Sequence, residues 1–313
     1  MKIILQNCST PGEFHLVAFS NYPHLQLVFF IGVFFMYFMC LLGNLIILIL
    51  VCLASKLHTP MYFFLCNLSV LDIIYVSVIS PKLMDIMITK DTSISNSQCF
   101  FQFFLYVFCV GSEFFLLTSM AYDRYVAICI PLHYILLMNT WICFLLALLS
   151  WNLGALKALV YILLISNLSI SDSKKINHLF CHMMSVLKLS CTDSTHIKLL
   201  IMVNGITLGF ICMILFFYSY IHIMSTILKI KTSSGRQRAF SRCSSHITIV
   251  LLFCLSSLIL NMKAESEHSQ EQDKLLSMIY ISVVPMLNPL IYSLRNNDVI
   301  KALRNIIYSC CSI

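Results

Sequence analysis

Charge is what this chain has least of. Only 11% of its 313 residues are Asp, Glu, Lys or Arg, against about 25% in a soluble domain. With 59% hydrophobic residues and a mean hydropathy of +0.90, the composition calls for a bilayer. A cleavable signal peptide is also missing. Met1 to Phe19 carries scattered apolar residues and no small-residue cleavage site, so the first span is expected to do the targeting itself. There is no Walker A pattern, no His-Glu-x-x-His and no Cys-x-x-Cys pair outside an apolar context. Those absences remove the usual hydrolase, kinase and redox readings, and the chain reads as a non-enzyme. Neither an internal repeat nor a file of charges crossing the membrane is present, which argues against a channel or transporter. The net charge of +7 does not suggest nucleic acid, because the basic residues fall in loops flanking apolar runs. Fifteen cysteines would mark a disulfide scaffold in a short secreted chain. Here most of them, such as Cys40, Cys52, Cys66, Cys109, Cys143 and Cys212, sit inside apolar runs as small hydrophobes.

What is present is a series of runs long enough to cross a membrane. They cover Leu25 to Leu53, Pro60 to about Met87, Cys99 to Cys129, Trp141 to Ile165, Ile197 to Ile227, His246 to Met262 and Leu275 to Leu294. Pro60 suits the first turn of the second helix. The chain divides into an N-terminal segment (1–24), a seven-span body (25–294) and a tail (295–313). In the tail, Asp298 to Tyr308 forms a short amphipathic helix with Lys301 and Arg304 on its polar face. The fold class is an all-α membrane protein, a seven-transmembrane helix bundle.

Basic residues orient it. Lys56, Arg124, the basic loop from Lys229 to Arg242, Arg295, Lys301 and Arg304 share one side with only Asp123 and Asp298 as acids. The other side carries Asp91, Asp172, Asp193, Glu265, Glu267, Glu271 and Asp273 beside Lys174, Lys175 and Lys263. The positive-inside rule puts the N-terminus outside and the tail in the cytoplasm. The sequons at Asn7 and Asn167 then face the side where glycosylation occurs, whereas Asn67 lies within the second span and is a chance match.

Chemistry must be sought in polar residues at the span ends and inside the spans, where they are costly. Asp123 and Arg124 stand side by side in MAYDRYVAIC, where the third span meets water. Arg124 offers only donors and keeps its charge, so it is either a latch between helices or a snorkelling boundary anchor. Asp72 and Glu113 are the acids deep inside spans. If they face each other, they need a shared proton or a cation, and a regulatory sodium ion near Asn44 and Asn288 is one reading. The other is a neutral, hydrogen-bonded acid pair acting as glue between helices. Pro285 and Pro289 remove backbone donors within one span, making either a hinge or a tolerated kink.

Taken together, these segments resemble the rhodopsin-like (class A) G-protein-coupled receptors, and among them the olfactory (odorant) receptors. The matching stretches are LHTPMYFFLCNLSVLD (Leu57 to Asp72), MAYDRYVAIC with PLHY (Pro131 to Tyr134), Ser219-Tyr220, AFSRCSSH (Ala239 to His246) and PMLNPLIYSLRN (Pro285 to Asn296). They occur in the order and spacing that seven spans require. The resemblance implies a plasma-membrane receptor of olfactory neuron cilia. It would bind small volatile or weakly polar molecules and activate a stimulatory, olfactory-type G protein that raises cyclic AMP. It further implies a cytoplasmic switch of Asp123, Arg124 and Tyr125 with Tyr220, His246 and Tyr292, and a Cys99–Cys181 disulfide fixing the lid of the pocket. By the same analogy the ligand site lies among helices three, five, six and seven. Its candidates are Tyr106, Val107, Val110 and Gly111, then Asn204 and Ile206, Ser257 and Asn261, and Met278 and Ile281. No acid stands on that part of helix three, which disfavours an amine ligand.

The chain also departs from the family pattern. Ser171 stands where a further loop cysteine is usual, so Cys191 is expected to lack a partner. Cys254 and Leu255 replace an aromatic residue and glycine, Arg242 a threonine, Ile130 a basic residue, and Lys157 the histidine common in helix four. These substitutions keep two further readings open: a receptor for a non-odorant metabolite or fatty acid, and a folded but silent receptor. Cys310 and Cys311 stand where palmitoylation is permitted.

Overall fold

The computed structural model describes residues 12–19, 24–166, 168–170, 174–262, 270–295 and 299–305, with backbone alone at 238, 242, 256–262, 270–273 and 292–295. Seven of its helices are long and apolar enough to cross a membrane. The first four spans are α1 (Gln26–Leu53), α2 (Pro60–Thr89), α3 (Asn96–Cys129) and, after the short cytoplasmic α4 (Tyr134–Leu137), α5 (Thr140–Ser166). A one-turn α6 (Met183–Leu187) lies in the outer loop before α7 (Thr195–Leu228) and α8 (Ser233–Met262). The last span is α9 (Gln270–Met278), a π-helical turn (Ile279–Val283) and α10 (Val284–Arg295).

Local chemistry explains most boundaries. Pro60 opens α2 as expected. Lys90 ends it in a left-handed conformation, φ 61°. α3 starts at a capping box: the Ser95 side chain accepts from the Gln98 backbone N–H while the Gln98 side chain accepts from that of Ser95. The third span therefore begins three residues earlier than apolarity alone indicates. One expectation needs correcting. The stretch from Ser233 to Arg242, read as loop, is the helical start of α8, whose turns need no apolar face where they project into water. The seventh span carries an interruption near its prolines: the π turn ends two residues before Pro285, whose missing N–H interrupts the hydrogen-bond ladder.

α3 runs through the middle of the bundle and packs against α2, α5, α7 and α8, while α10 packs against α1, α2 and α8. In a bilayer, helices associate through close packing and polar contacts rather than the hydrophobic effect. The α3–α5 crossing illustrates this: an added Cβ on Gly111 would lie 3.2 Å from the Gly154 Cα. Nearby, the Trp151 indole N–H donates to Asn67 Oδ1 at 3.1 Å, tying α5 to α2 and occupying the side chain of that chance sequon. Exposed Leu27, Ile31, Phe34, Phe38, Leu45 and Ile49 recur every three, four or seven residues along α1, marking a face for lipid. At the inner end, Val299 and Ala302 of the helical residues 299–305 are buried and Lys301 and Arg304 exposed, the amphipathic pattern expected there. Val299 lies beside Ile47, Leu50 and Tyr62.

The outer face holds a small sheet that the sequence pattern did not announce. β1 (Glu13–Leu16) lies between β2 (Ser93–Ser95), antiparallel, and β3 (Lys175–Ile176), parallel. Phe14 and Leu16 alternate into the interior, fully buried. The N-terminal segment is thereby stitched to two outer loops, the one between α2 and α3 and the one between α5 and α7.

Candidate functional site

Three polar constellations line the bundle from the outside inwards. The outermost is the lid. Cys99 at the start of α3 is disulfide-bonded to Cys181, with Cα atoms 5.4 Å apart. Gln102, one turn on, accepts from the Cys181 backbone N–H at 2.9 Å and donates to the Val78 carbonyl at 3.1 Å. One buried amide thus joins the outer loop, α3 and α2. Cys191 is also disulfide-bonded, which corrects the expectation of a lone thiol; its partner is not position 171, a serine. The lid presses Phe180 and His182 onto Tyr106, with ring centroids 4.9 and 6.2 Å apart. His178 is buried and stacked on His182 at 4.7 Å, and its Nε2 pairs with the Ser277 hydroxyl at 3.3 Å. Burial first, then the charges of His182 and Lys274, hold His178 well below the usual imidazole range.

Beneath the lid an aromatic column descends. Tyr106 meets Tyr75 at 5.9 Å, Tyr75 meets Tyr280 at 6.4 Å, Tyr280 meets Phe253 at 5.9 Å, and Phe253 meets Phe114 at 4.7 Å. The Tyr75 and Tyr280 hydroxyls are buried without a hydrogen-bond partner among the described residues. Sequence reasoning passed over both, because a tyrosine in an apolar run looks like packing until its neighbours are known.

The acid pair lies below. Asp72 and Glu113 are buried and meet side chain to side chain. Asn288 donates to both Asp72 carboxylate oxygens, at 3.2 and 3.0 Å. Asn44 donates to the Cys40 carbonyl at 3.0 Å and to the Pro285 carbonyl at 3.5 Å, joining α1 to the broken seventh span. Two touching carboxyl groups cannot both ionise without a shared proton or cation.

At the cytoplasmic end, Asp123 is fully buried. Arg124 Nη2 lies 3.4 Å from Asp123 Oδ2, and the Tyr134 hydroxyl of α4 donates to Asp123 Oδ1 at 2.8 Å. Burial and then the Asp123 charge push the Tyr134 phenol up, so it remains a donor at physiological pH. Tyr220 of α7 and His246 of α8 are hydrogen-bonded through the hydroxyl and Nδ1 at 2.6 Å. Tyr125 sits edge-on to His222 at 6.1 Å. The boundary arginine is therefore held by a partner rather than reaching into water, with 17% of its side chain exposed. Tyr134 was not among the expected switch residues, although its PLHY motif was among the stretches that carry the resemblance.

This order of lid, acid pair and cytoplasmic ion pair belongs to a chain matched over residues 33–309 by the olfactory receptor family. Olfactory receptor 1G1 of Gorilla gorilla gorilla is 41% identical over 97% of both chains. Human olfactory receptor 2A12 is 44% identical over 95% of this chain and 96% of its own, and human olfactory receptor 2T2 is 40% identical over 100% and 95%. The chain belongs to the olfactory receptor family. It is a multi-pass G-protein-coupled receptor of the membrane and not an enzyme.

Within this olfactory receptor the expected ligand residues fall into two groups. Tyr106 stands under the lid, and buried Val107 and half-buried Val110 follow it down α3. On the last span, Ile281 is buried in the π turn and Met278 half-buried just before it. Gly111 and Asn204 lie instead on the α5 side. Gly111 packs on Gly154, and Asn204 Oδ1 accepts from the Tyr161 hydroxyl at 2.9 Å. Ile206 is half-buried on α7. The side chains of Ser257, Asn261 and Tyr292, and all of Asn7, Asn167, Ser171, Cys310 and Cys311, lie outside the described residues.

Proposed function

We propose that this receptor binds small volatile, weakly polar molecules beneath the lid and activates a stimulatory, olfactory-type G protein, raising cyclic AMP in olfactory neuron cilia. The observation that carries the coupling is the Arg124–Asp123–Tyr134 assembly beside the Tyr220–His246 bond. A buried acid held by one hydrogen bond and one ion pair, next to a hydrogen bond joining α7 and α8, is a two-state element at the membrane's inner face. Outward movement of α8 would break the Tyr220–His246 contact and free Arg124 for a partner. A ligand favours that state only by its differential affinity for it. Leu132, Ile135 and Leu136 of the second cytoplasmic loop, 95%, 86% and 69% exposed, offer the partner an apolar contact beside the switch.

Asp72, Glu113 and Asn288 take the part of a relay in this reading. They hold a shared proton or a sodium ion between α2, α3 and the broken seventh span. Asn44 Oδ1 and Ser69 Oγ, buried without hydrogen-bond partners among the described residues, add the oxygen chemistry a hard cation takes.

The test is a cyclic AMP assay in cells expressing the chain with the olfactory G protein, beside Arg124→Ala, with surface staining of both. Odorant responses lost in Arg124→Ala at equal surface level support the reading. Responses that survive in Arg124→Ala, or a well-displayed receptor silent to a broad odorant panel, refute it.

A further inference from the structure

Lys157 lies on α5 nine residues before its outer end at Ser166, about 14 Å into the membrane at 1.5 Å per residue. Gly154, Lys157 and Tyr161 follow at helical spacing on the face turned to α3 and α7, and Gly154 and Tyr161 are buried there. The lysine stem enters over Gly111: its Cδ is 3.6 Å from where a Cβ on that glycine would stand. The ammonium has the Tyr161 ring at 5.7 Å and buried Cys212 of α7 as an electrostatic neighbour. Among the described residues no carboxylate is in ion-pair range of it. Outward snorkelling would instead carry such a stem towards the lipid headgroups.

A cation deep in a membrane is costly and marks a functional site unless it is paired. Two residues expected at the ligand site adjoin this one: Gly111 under the lysine stem, and Asn204 holding the Tyr161 hydroxyl. We infer that Lys157 is the recognition cation of a carboxylate subsite between α3, α5 and α7, so that the ligands of this receptor include small organic acids. The inference rests on the odorant-binding reading and narrows its ligand class. The bound anion supplies the missing counter-charge, Tyr161 walls the headgroup, and the alkyl tail lies along the apolar faces of α3 and α7. Methionine in place of Lys157 keeps the stem and removes the charge; arginine keeps the charge.

The test uses the purified full-length receptor in detergent and follows its melting temperature with saturated monocarboxylates of various chain lengths and their matched primary alcohols and methyl esters. Carboxylates are expected to stabilise the wild type and Lys157→Arg more than their neutral counterparts. Half-saturation should weaken about 10- to 100-fold in Lys157→Met, as loss of a charge-assisted hydrogen bond requires, while the response to alcohols is unchanged. A preference for short chains identifies volatile acids as the source of the carboxylate, and one for long chains membrane-derived fatty acids. Equal stabilisation of wild type and Lys157→Met by acids overturns the inference, as does a wild type stabilised by no carboxylate in the series. So does an aldehyde adduct trapped at Lys157 by borohydride with no acid preference, which would make the lysine an amine nucleophile. Acid binding by purified protein whose cells stay silent would refute the signalling reading and leave this site standing.

Discussion

Gly154→Ala tests the close approach on which the α3–α5 half of the site depends. A Cβ built on Gly154 meets the Ser112 hydroxyl head-on. It also lies 2.7 Å from the Ser112 backbone nitrogen and 2.8 Å from the Phe108 carbonyl oxygen. The two backbone contacts are about 0.6–0.7 Å short of ordinary van der Waals separation, and neither atom can rotate away. The helices must part, giving up contacts along the crossing. Overpacking of this kind costs about 1–3 kcal/mol, with the rigid neighbours arguing for the upper end. Against it stands the helix-propensity gain of alanine over glycine, about 1 kcal/mol. The net loss expected is about 1–2 kcal/mol, or roughly a 5- to 30-fold fall in the folded-to-unfolded ratio. Gly32→Ala in α1 is the control, because nothing lies within 4 Å of its added Cβ and only the propensity gain applies. Thermal unfolding of the purified proteins, with surface staining in cells, should rank Gly32→Ala at or above wild type and Gly154→Ala several degrees below. A Gly154→Ala protein melting level with Gly32→Ala would refute the close crossing.

Asn288→Ala removes both amide bonds to buried Asp72 and should cost about 1–3 kcal/mol. A double-mutant cycle with Asp72→Asn that returns no coupling energy would show that the two do not act as a pair. Tyr134→Phe deletes the 2.8 Å bond to Asp123 and should raise ligand-free cyclic AMP severalfold at equal surface level; an unchanged baseline means the hydroxyl does not hold the switch. His178 is neutral in the folded receptor, with its pKa well below 6.5. The unfolded chain therefore takes up the proton first, and the stability due to His178 is complete above about pH 6.5 and lost as the pH falls towards the folded value. Melting temperatures from pH 7.5 down to 5 should fall more steeply in wild type than in His178→Gln, and parallel slopes would count against this burial.

What could be read from the sequence was what is encoded locally. Apolar run length located every span to within a few residues, except where a run stops before its helix does. α8 continues through Arg236, whose charge is compatible with helix in water but invisible to a search for membrane-spanning runs. The start of α3 was legible in principle, since Ser95 and Gln98 form a capping box in plain sequence. The sheet was not. Phe14 and Leu16 alternate over only four residues of β1, too few to tell a strand from chance, and their partners stand in loops far along the chain.

The site divides in the same way. Asp72 and Asn288 each announced themselves as polar groups inside apolar runs, yet their bond spans 216 positions, and only a resemblance or a structure can join them. At the cytoplasmic end, Asp123 and Arg124 stood out as adjacent charges where an apolar run ends, whereas the Tyr220–His246 bond joins positions 26 apart on two helices. In the proposed function, ligand choice follows from groups whose meaning is conferred by neighbours. Tyr75 and Tyr280 matter there because their hydroxyls have no hydrogen-bond partner among the described residues, and Lys157 because its stem lies over Gly111 where Gly111 and Gly154 bring α3 and α5 together. Substituting either glycine would therefore move the ligand site without touching a ligand-contacting side chain. Ligand preference in this receptor should thus change with helix packing as readily as with pocket polarity.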